Sequence, residues 1–132
     1  MPQFLVNKLI RDKLAMLDRW AGKRTLTDAE FIHELKRKLI EESQEVMGAQ
    51  SDAELLEELA DLQDVIDCLV KTAGFTAKQI AQSQEDKYEL RGGFEDRIFV
   101  ERIVIDEHEI GEDGKTTLAQ YCRNQPHKYK ET

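Results

Sequence analysis

The sequence predicts an all-α fold of four-helix-bundle type, closed by a short C-terminal strand and tail. Three observations carry that expectation. The only prolines are Pro2 and Pro126, so the long interior holds no obligatory helix breaker. Apolar residues recur at three- and four-residue steps through the first two-thirds of the chain. Three helix-start signals, Thr27 with Glu30, Ser51 with Glu54 and Thr76 with Gln79, open successive periodic segments, and each segment ends on a glycine.

The first helix is expected from about Leu5 to Trp20, with Val6, Ile10, Leu14, Leu17 and Ala21 on one face and Gly22 as its stop. The second opens at the Thr27 capping box and runs to about Met47, before Gly48. Ser51 starts the third, which carries Leu55, Leu59, Leu62, Ile66 and Leu69 and closes at Gly74. Thr76 starts the fourth, which ends near Leu90 or Arg91, ahead of Gly92 and Gly93. Short connections between such helices read as a bundle. Residues 97–105 (RIFVERIVI) are β-branched and read as a strand, and a turn at Gly111 and Gly114 precedes a short helix around Leu118 to Arg123. The whole is expected to be one domain, residues 1–132, with its helical part over about 5–93 and the strand and surface tail over about 96–132.

The chain has 132 residues, of which 35% are charged and 40% hydrophobic, a balance that fits a soluble, helix-rich globular protein better than a disordered chain. Its longest purely apolar run is Leu14 to Leu17, too short for a membrane span or a secretory core, so no membrane partner is expected. Cys68 and Cys122 form neither a CxxC nor a Cys/His pattern, so no disulfide framework or structural zinc is indicated. The expected location is a reducing cytoplasm.

Net charge is −8, but the acidity is local. Between Glu41 and Asp67 stand ten acids and no Lys or Arg, whereas residues 1–40 carry nine bases against five acids. Such a segment either solvates its charge or gathers some of it around a cation. A nucleic-acid partner is disfavoured, because its phosphates would meet net repulsion without a basic stripe.

Helical spacing then selects particular carboxylates. Glu42 falls between Leu39 and Val46 and in the column of Leu35, on the stripe that faces other helices, with Glu45 one turn further along that edge. Glu58 is flanked in the same way by Leu55 and Leu62, and its stripe continues through Asp61 into Val65 and Cys68. Glu57 and Asp64 project elsewhere and can stay solvated. If the second and third helices pack antiparallel, Glu42, Glu45, Glu58 and Asp61 converge, and buried like charges there require protons or a metal. All donors are hard oxygens, which suit Mg²⁺ or Mn²⁺ and argue against zinc. With 27 acids in the chain, a single ExxE or ExxD pair arises easily by chance, and it is the two pairs on facing stripes that point to a cation.

These residues also carry a family resemblance. EESQE (Glu41 to Glu45), twelve residues, then ELAD (Glu58 to Asp61) resembles the EExxE…ExxD signature of the MazG-like, all-α nucleoside triphosphate pyrophosphohydrolases. VNKLIRDKL (Val6 to Leu14) resembles the NKLVRDKI opening of a small-protein branch related to phosphoribosyl-ATP pyrophosphohydrolase. KYELRGGF (Lys87 to Phe94) is similar to that branch's K…RGGF element, and NQPHKYKE to its NPDKYPE tail, with Lys130 where proline is usual. The resemblance implies an oligomeric helical fold, commonly a homodimer or homotetramer, and Mg²⁺-dependent hydrolysis of a nucleoside triphosphate to monophosphate and pyrophosphate. Carried over by motif, Glu42, Glu45, Glu58 and Asp61 are the implied metal ligands.

Glu41 is the candidate for orienting or deprotonating the attacking water; its alternative is an outward residue paired with Lys38 at i+3 spacing. Lys87 and Arg91, four apart on one helix, are candidates to hold the leaving pyrophosphate, as are Lys8, Arg11 and Lys13; for Lys87 and Arg91 a solvated face paired with Asp86 or Glu89 is the alternative. Asn7 reads as a ligand for base or phosphate, or equally as a helix cap. The leading expectation is house-cleaning of noncanonical or surplus nucleotides. Phosphoribosyl-ATP hydrolysis in histidine biosynthesis shares the metal site, and a noncatalytic oligomerisation or regulatory module is the reading from another class.

Overall fold

Local capping chemistry sets the helix boundaries in the computed structural model, which describes residues 1–132. The chain is all-α, with five helices, and divides into two units, residues 1–92 and 93–132.

In the first unit an extended arm leads into α1 (Asp12–Ala15), followed by α2 (Asp28–Gly48), α3 (Asp52–Thr72) and α4 (Ala77–Arg91). Thr27 and Thr76 form complete capping boxes, each accepting from the amide three residues on while Glu30 or Gln79 reaches back. Ser51 accepts from the Glu54 amide. Gly74 (φ +85°) and Gly92 (φ +77°) stop α3 and α4 in left-handed backbone that a side chain would strain.

Three residues, 49–51, join α2 to α3, so the two helices fold back as an antiparallel hairpin, the one extensive helix-to-helix packing in this unit. Leu35 is its most buried residue, 4% exposed, and Leu39, Val46, Leu62, Val65 and Leu69 are half-buried along the two helices.

Three expectations need correction. The helix expected over 5–20 shrinks to the single turn of α1, because no side chain caps its start and competing donors take its last carbonyls. The Trp20 indole N–H donates to Leu14 O (2.7 Å) and Lys23 Nζ to Ala15 O (3.0 Å), where continued helix would have placed its own amides. A helix this short does not repay nucleation, so the arm stays extended. Nor do four helices close a bundle within the chain: α4 is exposed along its whole length, and Leu55, Leu59 and Ile66 of α3 remain uncovered. One α2 neighbour covers only one stripe of α3.

The third correction concerns residues 97–105, which form no strand. An isolated strand has no partner for its N–H and C=O groups, and Phe99 is 87% exposed. The one β-bridge in the chain pairs Ile110 with Thr117 around an Asp113 turn. Asp113 accepts from the amides of Lys115 (2.9 Å) and Thr116 (2.8 Å), which holds its carboxyl below the usual range. Thr117 then caps α5 (Leu118–Arg123), whose Ala119 is buried. Arg123 grips Glu107 (3.0 Å) and Glu131 (2.9 Å), and Tyr121 meets Tyr129, so the tail returns to α5.

Candidate metal centre

Because α2 and α3 run antiparallel, the acids flanking their apolar contacts meet across the hairpin. Glu42, Glu58 and Asp61 each bring a carboxylate oxygen within 4.8 Å of the other two, so these three can hold a metal ion. Neighbouring oxygens of an octahedron with Mg–O bonds of about 2.1 Å lie about 3.0 Å apart, and only opposite ones reach about 4.2 Å. The three side chains would therefore have to draw together around an ion. Glu42 is the most enclosed, its side chain 12% exposed, and Glu58 and Asp61 are half-buried.

Electrostatics mark the same place. Partial desolvation raises the Glu58 carboxyl above its ordinary value, reinforced by repulsion from Glu45, Asp61, Glu42 and Glu57. Glu45, expected as a fourth ligand, lies outside the close group and is exposed. Three residues beyond Glu42 it has turned about 60° around α2, toward solvent, yet its charge still acts on Glu58.

Protons and metal are not the only compensation available, contrary to the sequence argument. Cations of the arm and of α2 surround the acids. Lys8 Nζ donates to Glu41 (3.0 Å), and Lys38 Nζ reaches Glu41 (3.3 Å), Glu42 (3.7 Å) and the Leu9 carbonyl (3.4 Å). Arg11 Nη2 bridges Asp61 (2.8 Å) and Asp64 (3.0 Å). Asp64 is thus more than a solvated residue. Burial works to raise the Glu41 carboxyl, but the hydrogen bonds and charges of Lys8 and Lys38 outweigh it and hold the group low. Such a carboxylate is a weak proton acceptor. This geometry realises the Lys38 pairing named as the alternative for Glu41.

Arm and α2 enclose a cleft of about 330 Å³ lined by Asn7, Lys8, Arg37, Lys38, Glu41 and Gln44 among others. Asn7 sits there at φ +45°, left-handed backbone that asparagine tolerates better than most residues. It caps no helix, since α1 begins at Asp12 with Arg11 before it. Lys13 lies on α1 and Lys87 on α4, both exposed and neither in the ion pairs of the cluster. Arg91 ends α4. Sequence reasoning passed over Lys38 and Arg37 as site residues. The signal for Lys38 was its place one turn before both Glu41 and Glu42 on α2.

No protein-family model, curated protein or solved structure matches this chain, so the resemblance stands on its motifs and the centre on its geometry.

Proposed function

We propose that the protein is a divalent-cation-dependent nucleotide pyrophosphohydrolase that cleaves a nucleoside triphosphate between its α and β phosphates, with Mg²⁺ as the ion and Mn²⁺ as a substitute. One observation carries the reading: Glu42, Glu58 and Asp61, distant in sequence, converge across the α2 and α3 hairpin, beside a cleft lined by Lys8, Arg37 and Lys38 together with Glu34 and Glu41. The order of EESQE, ELAD and KYELRGGF along the chain supports the reaction class.

Glu42, Glu58 and Asp61 would hold the ion, which supplies Lewis acidity at the phosphoryl group and a positive bridge to its oxygens. Lys8 and Lys38, ordered by Glu41, set positive charge at the rim of the cleft, where a polyphosphate approaching an acidic cluster needs it. Asn7 offers an amide in the same cleft. Water attacks the α phosphorus as the bond to the β-bridging oxygen breaks, releasing monophosphate and pyrophosphate. The uncovered apolar residues of α3 support a working homodimer or homotetramer.

Incubation with a panel of nucleoside triphosphates and Mg²⁺ should yield monophosphate and pyrophosphate. Orthophosphate with a diphosphate product would overturn the cleavage position, and no turnover would favour a noncatalytic module. Glu58→Gln should lower turnover by at least about 100-fold while far-UV circular dichroism stays unchanged, since charge stabilisation by a bound ion is worth several kcal/mol.

A further inference from the structure

Among the cations that surround the acidic cluster, two are held differently. Lys38 sits on α2 itself, is 19% exposed, and is also anchored to the Leu9 carbonyl, so its place follows from the helix. Arg11 belongs to the arm, is largely exposed, and is held by two carboxylates of α3. One of those carboxylates, Asp61, is a member of the candidate ligand set, while the other, Asp64, is not. A guanidinium and a divalent ion at bonding distance from one carboxylate repel each other, whereas Asp64 lets the arginine move off without losing its counter-charge.

We infer that Arg11 is a displaceable counter-ion of this centre. It neutralises Asp61 in the absence of a divalent ion, gives up Asp61 and keeps Asp64 when the ion arrives, and then stands ready with planar N–H donors for a nucleotide phosphate. The inference rests on the divalent-cation reading above and adds an ordered exchange to it.

The exchange predicts opposite changes in two affinities of one variant. Arg11→Gln should bind Mn²⁺ more tightly, by about two- to fivefold, the range expected for removal of an exposed competing ion pair. With Mn²⁺ saturating, the same variant should bind a non-hydrolysable triphosphate analogue more weakly. The free-Mn²⁺ electron paramagnetic resonance signal gives the first measurement and calorimetry the second, both on the full chain. Lys36→Gln is the charge control, since Lys36 is exposed on α2 and lies outside the ion pairs of the cluster, and Arg11→Lys should stay near the parent in Mn²⁺ affinity. Weaker binding of both ligands by Arg11→Gln would mark a merely structural arginine and overturn the inference. So would unchanged Mn²⁺ affinity, or an equal gain in Lys36→Gln. If instead the parent chain, Arg11→Gln and Glu58→Gln bind Mn²⁺ alike, the divalent site itself is refuted, an outcome distinct from failure of the exchange.

Discussion

Glu58 shows how a carboxylate crowded by other acids works against folding. Its carboxyl titrates above the ordinary 4.5 because of desolvation and four neighbouring acids. A raised carboxylate contributes stability below the unfolded value and loses it as pH rises through the folded one, so at neutral pH its charge opposes folding. Glu58→Gln should therefore raise the urea midpoint at pH 7, and Mg²⁺ should raise that of the parent but not of the variant. Glu30 has the opposite sign. Hydrogen bonds from Arg24 and from Thr27 hold it below 4.5, so its contribution is present above that value and lost as pH falls through the lowered one. In urea titrations from pH 7 downward, Glu30→Gln should lose less stability below pH 4.5 than the parent does. At the same cap, Thr27→Ala should cost about 1 kcal/mol at pH 7 in the same assay.

Among the elements, those specified by adjacent residues were legible and those that need a distant partner were not. Thr27, Ser51 and Thr76 announce α2, α3 and α4 through bonds to residues three positions on, and the structure places all three starts there. Glu42, Glu58 and Asp61 were legible because helical spacing put them on stripes that the short connection brings face to face. Glu45 lies outside the close group yet acts on Glu58 by its charge, since spacing alone does not say where along a stripe the packed contact ends. Periodicity at Val6, Ile10 and Leu14 describes a surface able to pack as helix, but it does not register the side-chain bonds from Trp20 and Lys23, six and eight residues on, that take the carbonyls of Leu14 and Ala15. Residues 97–105 have strand composition without a strand to pair with. Amide hydrogen exchange should therefore be slow in the middle of α2 and α3, faster in the solvent-exposed α4, and unprotected over 98–105. Protection over that last segment would reveal a pairing supplied by another chain.

Taken whole, the molecule buries little apolar surface for its length: only Leu35 and Ala119 count as buried, while Leu55, Leu59 and Ile66 lie open on α3. Under the proposed assembly, sedimentation equilibrium should return a multiple of 15.3 kDa, and Leu59→Glu with Ile66→Glu should reduce it toward that single value. A monomer at micromolar concentration would remove assembly from the proposal. The hairpin has one further property. Glu42 precedes and Glu58 follows Gln50 by the same number of residues, so the acids sit level on the two limbs of a stem whose tip lies away from them. Seven residues are nearly two full turns, so a heptad grafted into each limb near the tip would lengthen the stem while turning the carboxylates by only about 20°. The tip is thus a place where length can vary while the three acids still face one another, whereas one residue grafted into a single limb would swing its carboxylates about 100° away.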